Sequence, residues 1–302
     1  MSNLNAPHFQ DPDKARQYLE AVRWPNGPVC PHCGSMEGHY AIQGKSARPG
    51  LYKCKDCREQ FTVTVGTVFE RSKIGLHIWL QAVYLLCSSK KGISSKQIER
   101  MLGVTYKTAW FMTHRIREAM ASSPDGLLGG GGGTVEADET YWGKKPGTIK
   151  RRGYAHKNPV VSLVERGGKV RSFHVANVKA STIKEILVSN MDKSANLMTD
   201  EASAYTIVGR EFASHGVVNH GSKEYSRGNN HTNTIEGYFS IFKRGMVGTY
   251  HKCGEQHLQR YANEFDFRYN HRSALGVDDI QRTEAALKGI GGKRLTYRRI
   301  DA

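Results

Sequence analysis

The chain has 302 residues, enough for two domains with cores of their own at about 150 residues each. It holds no run of about 18 apolar residues, which excludes a membrane-spanning helix, and its first ten residues, MSNLNAPHFQ, lack the apolar stretch of a secretory signal, so a cytoplasmic protein is expected. Lys and Arg number 44 against 28 Asp and Glu, and the net charge of +16 points to a polyanionic partner, nucleic acid before an acidic membrane.

The first predicted element is a short helix over 11–23 (DPDKARQYLEAVR), with Asp11 as N-cap and Pro12 at the first helical position. Two Cys-x-x-Cys pairs follow, Cys30/Cys33 and Cys54/Cys57, with twenty residues between them. Each pair is a tight knuckle presenting two thiolates, and four thiolates complete a tetrahedral shell for one structural Zn²⁺. Cys87 and Cys253 are left over, and a disulfide framework does not suit a chain without a secretion signal. His32 and His39 are read as bystanders, since four sulfurs suffice. HYAIQGK, LYKCK and QFTVTVGTVF alternate with the strand period, which predicts a zinc ribbon within 1–70.

Three helices are expected next, over 76–89, 94–104 and 106–120. Ser94 or Ser95 caps the second, Gly103 ends it, and Ile98, Met101 and Leu102 line one face; Ala109, Met112, Thr113 and Ile116 do so on the third. A short helix, a brief Gly-Val-Thr turn and a longer helix fit helix-turn-helix arithmetic over 71–122, the alternative being a plain three-helix bundle. Tyr106, Lys107, His114, Arg115 and Arg117 are then expected on the exposed, DNA-facing side of the last helix.

Five consecutive glycines within GLLGGGGGT predict a flexible linker over 123–133. It divides the charge evenly: residues 1–125 carry +7 and the remainder +9, so both halves are expected to touch a polyanion. Beyond it, TVEADETYWG (134–143) reads as a strand carrying Asp138, and NPVVSLVERGG with KVRSFHVANV as two more joined by a Gly-Gly turn. Ser181 should cap a helix running to Met191, ANLMTDEASAY (195–205) reads as a strand ending in Asp200, and 231–246 is an amphipathic helix carrying Glu236. Phosphodiester chemistry needs two hard cations about 3.5–4 Å apart on oxygen ligands, which carboxylates from separate elements supply. Glu236 follows Asp200 by 35 intervening residues and shares a helical face with Ser240 and Lys243. Lys144, Lys145, Arg151 and Arg152, after the first of these strands, suit contacts to a DNA backbone and suit a solvated loop equally well. Tyr250, Tyr261, Phe265, Phe267 and Tyr269 are expected to pack a C-terminal helix on the sheet, and 276–302 to form a basic tail.

RWPNGPVCPHCG, YKCKDCREQFTVTVGTVFERSKI, VEADETYWGKK, LMTDEASAY and HTNTIEGYFSIFKRGMVGTYHKC, in this order, resemble bacterial insertion-sequence DDE transposases of the ISXO-two-like group. The resemblance implies an α/β multidomain protein: an RNase H-like catalytic domain with a mixed sheet over 134–275, preceded by the ribbon and the helix-turn-helix. It implies that Asp138, Asp200 and Glu236 are the catalytic triad binding two Mg²⁺, with Mn²⁺ able to substitute, and that Lys243 is the basic residue after the last carboxylate. Glu139 and Glu201 adjoin the two aspartates, but neighbouring strand residues point to opposite faces and the motif selects Asp in both pairs. Some relatives carry Asn at the third position, which leaves Asn233, one turn before Glu236, as a candidate neighbour of the metals. The implied activity is a DNA transposase that binds the terminal inverted repeats of double-stranded DNA, cuts strand ends and joins them to target DNA, as a homodimer or larger. The competing expectations are a non-catalytic DNA-binding protein of the same descent, and a nuclease that does not join strands.

Overall fold

A computed structural model describes residues 3–44, 46–121, 126–150, 152–222 and 226–296. The chain divides into two compact units, one of Met1–Ala121 with Ser273–Ala302 and one of Ser122–Arg272.

In the first unit, α1 (Pro12–Arg23) begins as expected: Pro12 occupies its first turn and Asp11 accepts the Lys14 amide at 2.8 Å. Strands β1 (His39–Ala41), β2 (Tyr52–Cys54) and β3 (Gln60–Phe61) form an antiparallel sheet in that order. Trp24 packs edge-on against Tyr52 and Phe61, giving this small sheet an aromatic core. The expected strand through TVTVGTVF stops at Phe61; Thr64 and Thr67 instead make a hydrogen-bonded turn. Helices α2 (Leu76–Ser88), α3 (Ser95–Leu102) and α4 (Tyr106–Met120) follow, with Ser94 and Thr105 capping the last two. The face of α4 formed by Ala109, Met112, Thr113 and Ile116 is buried as predicted, whereas Met101 on α3 is exposed.

In the second unit the sheet order is β6-β5-β4-β7-β8, with β4 (Thr134–Trp142), β5 (Asn158–Glu165), β6 (Val170–His174), β7 (Asn196–Thr199) and β8 (Ser214–Val217). β4, β5 and β6 are antiparallel neighbours, while β7 and β8 run parallel to β4. Helices α5 (Ala180–Asn190) and α6 (Ser203–Val208) supply one side, and α7 (Asn233–Gly245) and α8 (Leu258–Asn270) the other. Strand alternation sorts the residues between two cores. Val135, Ala137, Val161 and Leu163 pack with Ile183, Leu187 and Tyr205. Val160, Val164 and Val170 pack with Ile235, Phe239, Phe242 and Phe265. Glu136, Asp138 and Ser162 therefore point toward α7.

Several expectations need correction. The glycine run is an ordered turn. Leu128 is buried and bridges Met191, Gly129 donates to Glu165 Oε1 at 2.9 Å, and a Cβ on Gly129 would meet Ala195 Cβ at 2.5 Å. Glycine is needed there for close approach as well as for its φ of +77°, and the backbone finds partners that hold it. Lys179, not Ser181, is the N-cap residue of α5. The strand expected over 195–205 ends at Thr199, so Asp200 sits just past its carboxyl end and α6 follows. β8 and α6 have no clear period in the sequence and were not anticipated. The stretch from 276 is also more than a tail: α9 (Asp279–Lys288) starts with a capping box between Asp278 and Gln281 and packs on α2, with Ala286 and Leu287 buried.

Candidate functional site

The four cysteines converge, with all their sulfurs within 4.8 Å of one another. Cys30 and Cys57 sulfurs lie 3.6 Å apart, and Cys33 and Cys54 3.7 Å. Sulfurs about 2.3 Å from a tetrahedral centre would be separated by about 3.8 Å, so the cage has the dimensions of a zinc–thiolate site. The two knuckles are built alike. The residue after each second cysteine takes a left-handed conformation, Gly34 at φ 78° and Arg58 at φ 63°. The Cys30 amide donates to Ser35 O at 2.9 Å, and the Cys54 amide to Glu59 O at 3.0 Å. The ribbon and its four-cysteine cluster support a structural zinc. His32 and His39 are outside the cluster, as expected, and His39 instead pairs through Nε2 with Ser35 O at 2.9 Å.

The carboxylates gather differently. Asp138 lies on β4, Asp200 just past β7 and Glu236 in the first turn of α7. The Asp138 carboxyl is pushed up to about 8, first by burial, then by the negative charges of Asp200 and Glu139, with Glu236 adding to it. A bond from the Glu139 amide to Asp138 Oδ1, at 2.7 Å, works the other way. This is a site where a cation would relieve the repulsion, and its oxygen donors suit a hard divalent ion. Among the described residues, however, only the cysteines bring three or more ligand atoms within 4.8 Å of one another, so the carboxylates form the looser set.

Glu139 points to the opposite side of β4, as alternation requires. It accepts from the Tyr205 hydroxyl at 3.0 Å and the Tyr141 hydroxyl at 3.3 Å, and burial raises its own pKa. The Tyr141 hydroxyl is pushed up to about 12 by burial, then by Glu139, with the charge of Asp138 also contributing. Glu201 accepts the Gly221 amide at 3.0 Å. Glu236, Ser240 and Lys243 are all exposed on α7, and Asn233 is exposed in its first turn.

Glu136 was not singled out from the sequence. It is fully buried and accepts from Arg166 Nε at 2.6 Å, the Thr234 hydroxyl at 2.8 Å and the Ile235 amide at 2.9 Å. It thus fastens the first turn of α7 to β4, two residues from Asp138 and on the same face. Arg166 also donates to the carbonyls of Asn229 and His231, at 2.9 and 2.8 Å, and so holds the approach to α7. Below the site, Asp266 accepts from Ser172 Oγ and Tyr238 Oη, each at 2.6 Å, and Ser172 lies 2.8 Å from Ser162 Oγ, opposite Asp138 in register. The one available signal for Glu136 is parity: a carboxylate two residues before Asp138 lies on the same face of the strand, flanked by the apolar Val135 and Ala137, and if buried must have a partner.

The basic candidates divide. Tyr106 and Lys107 are exposed at the start of α4, and Tyr106 carries Lys96 Nζ 4.9 Å from its ring centre. His114, Arg115 and Arg117, expected on the exposed side, are buried. The reason is the returning chain: Arg115 donates to Leu295 O and Glu70 O, both at 3.2 Å, and α9 packs along this part of α4. Lys144 and Arg152 are exposed, Lys145 donates to Ala176 O at 2.9 Å, and Arg151 lies outside the described residues. Tyr261, Phe265 and Phe267 are buried as expected on α8.

Comparison with known proteins places the chain among transposable-element proteins. Residues 130–270 match an ISXO2-like transposase domain, and residues 10–60 match a transposase zinc-ribbon domain. Over 285 residues the chain is 30% identical to an uncharacterized protein in transposable element ISH50 of Halobacterium salinarum, covering 86% of this chain and 91% of that protein. Among the described residues, no helix is long and apolar enough to cross a membrane.

Proposed function

The chain belongs to the ISXO2-like transposase family, and from that membership we propose that it binds the terminal inverted repeats of an insertion sequence, cuts the DNA strand at each end and joins the freed end to target DNA. The observation that carries the catalytic part is that Asp138, in the middle of β4, is buried within reach of the charges of Asp200, just past β7, and Glu236, on α7, which together hold its pKa at about 8. An RNase H-like fold is supported by the sheet order, third-second-first-fourth-fifth, with the first three strands antiparallel. The α3–α4 pair, joined by Gly103-Val104-Thr105, is the proposed helix-turn-helix, with Tyr106 and Lys107 at the exposed start of its second helix.

Asp138, Asp200 and Glu236 would hold two Mg²⁺, or Mn²⁺ in their place. When bound, such ions lower the pKa of an attacking water or hydroxyl and stabilise the oxygen that leaves. The chain's own residues do the rest. Glu136 and Arg166 keep Glu236 in place relative to Asp138, Lys243 faces solvent two turns further along α7 to meet a phosphate, and the tyrosine pair around Glu139 keeps that carboxylate on the far side of β4. In the first step water attacks the scissile phosphorus and the strand separates with a free 3′-hydroxyl. In the second, that hydroxyl attacks a target phosphodiester, so one bond forms as another breaks. Lys144, Lys145 and Arg152 would contact the DNA backbone. Bringing two ends together calls for at least a dimer.

The test is purified protein with labelled inverted-repeat DNA, target DNA and Mg²⁺, beside Asp200→Ala. Cleavage and joining by the wild type, both absent from the variant, are expected. Binding without cleavage would overturn the enzymatic reading, and full activity of Asp200→Ala would overturn the assignment of the triad.

A further inference from the structure

Asp138, Ser162 and Ser172 stand opposite one another in register across β4, β5 and β6, a polar row beside the packed Val160, Val164 and Val170. At its far end the row meets two buried side chains, Asp266 of α8 and Tyr238 of α7. Asp266 receives three hydrogen bonds, from the Ser172 amide at 2.7 Å and from the Ser172 and Tyr238 hydroxyls at 2.6 Å each. Burial pushes its carboxyl up to about 6 while these donors pull the other way, so above that pH it is an anion that can only accept. That charge fixes the direction of each hydroxyl in the row. Ser172 and Tyr238 point their single protons at Asp266. The Ser172 oxygen, 2.8 Å from Ser162 Oγ, is left to accept, and the Ser162 proton points to it. Opposite residues of an antiparallel pair have Cβ atoms about 4.5–5.5 Å apart, so Ser162 is the hydroxyl within reach of Asp138 across the strands. Its proton is turned the other way. Among the described residues, Asp138 takes a single hydrogen bond, from the Glu139 amide to Oδ1.

We propose that Asp266 is a positioning residue for the carboxylate site: through Ser172 it draws the Ser162 proton away from Asp138 and so keeps an oxygen of that carboxylate open to a divalent cation. The Glu139 amide supplies the bond that orients the Asp138 side chain, as partners of metal-ligating carboxylates do. A second donor, on the remaining oxygen, would compete with the cation for the same lone pairs. This rests on the metal-dependent transposase reading and deepens it, naming the residues that prepare Asp138 for its ion.

The experiment titrates the full, zinc-loaded chain with Mg²⁺ alone in a calorimeter at pH 9, above the value of about 8 to which Asp138 is raised, so that no proton competes with the cation. In Asp266→Asn the side-chain oxygen must face the Ser172 amide, which leaves the NH₂ to donate to Ser172 Oγ. The Ser172 proton then turns to Ser162 and the Ser162 proton to Asp138. Mg²⁺ affinity should fall about tenfold, the scale of one hydrogen bond to a charged group. Ser172→Ala takes away the acceptor of the Ser162 proton and should have the same effect, and it carries the test if Asp266→Asn does not fold. Adding Ser162→Ala to either variant removes the competing donor and should restore the wild-type affinity, a rescue that lost packing would not give. Wild-type affinity in both single variants, or a weakening that Ser162→Ala does not reverse, would overturn the proposal. The two readings fail separately. A wild type that never cuts, with Mg²⁺ binding that follows this pattern, keeps the row and loses the transposase. One that cuts and joins, with both single variants binding Mg²⁺ normally, keeps the transposase and loses the row.

Discussion

The cysteine and carboxylate clusters both gather side chains of one chemical kind, but they are assembled at different scales. Each cysteine knuckle is made within six residues, by two thiols, a left-handed turn and one backbone hydrogen bond, and only the pairing of two knuckles requires the ribbon. The carboxylates come from β4, the end of β7 and the start of α7, elements far apart in sequence. Their alignment depends on the sheet register and on Glu136, whose buried carboxylate ties α7 to β4. The sulfurs lie within 4.8 Å of one another, as suits a closed structural shell. The carboxylates are looser and carry stored repulsion, which suits ions that must also reach a substrate.

If the ribbon is held by its metal, the largest effect in the molecule should come from Cys54→Ser. Removing one of four thiolates should forfeit most of the roughly 10 kcal/mol that a structural zinc contributes. Metal analysis should give one zinc per wild-type chain and far less in the variant, with loss of the ribbon's near-ultraviolet signal; retention of both would contradict the closed-shell account. Glu136→Ala comes next. It leaves Arg166 without its carboxylate beside a buried helix start, and a cost of about 3–5 kcal/mol is expected from chemical denaturation. Glu136→Gln should recover part of it. A variant as stable as the wild type would mean that α7 is held in another way.

The third effect depends on pH. With its pKa raised from 3.8 to about 8, Asp138 keeps its proton in the native state where the unfolded chain has lost it. The native state therefore loses stability as pH climbs from about 4 through about 8, and below that window nothing is lost. Without divalent ions, Asp138→Asn should be more stable than the wild type at pH 9 and match it at pH 4, and Mg²⁺ should raise the melting temperature of the wild type alone. A gap between the two proteins that is constant with pH would argue against carboxylate repulsion. The smallest effect is expected from Lys107→Ala, which should weaken DNA binding across all sequences and lower the dependence of log affinity on log salt by about 1; an unchanged salt slope would remove Lys107 from the interface.

Much of this was legible in the sequence because local rules governed it. Asp11, Ser94 and Gly103 mark helix ends, the Cys-x-x-Cys pairs mark the knuckles, and alternation along TVEADETYW separates Asp138 from Glu139. What was missed depended on distant chain segments. Arg115 is held by the carbonyl of Leu295, 180 positions away, beside α9 packed on α4, and the glycine run is ordered by Glu165 and Ala195. Glu136 carries no local mark of its burial, which comes from α7 packing over β4. Exposure and positioning are tertiary properties, and neither has a period to read.

The proposed role of the carboxylate cluster is to place divalent ions against a DNA phosphate. A single sulfur replacing a non-bridging oxygen at the scissile phosphate tests it directly, because sulfur is a poor ligand for hard Mg²⁺ and a better one for Mn²⁺. The thio-substituted inverted repeat should be cut slowly in Mg²⁺, and Mn²⁺ should restore the rate, with Asp138→Asn inactive in both. Cleavage that needs no divalent ion, or that proceeds equally well with oxygen and sulfur in either metal, would contradict it.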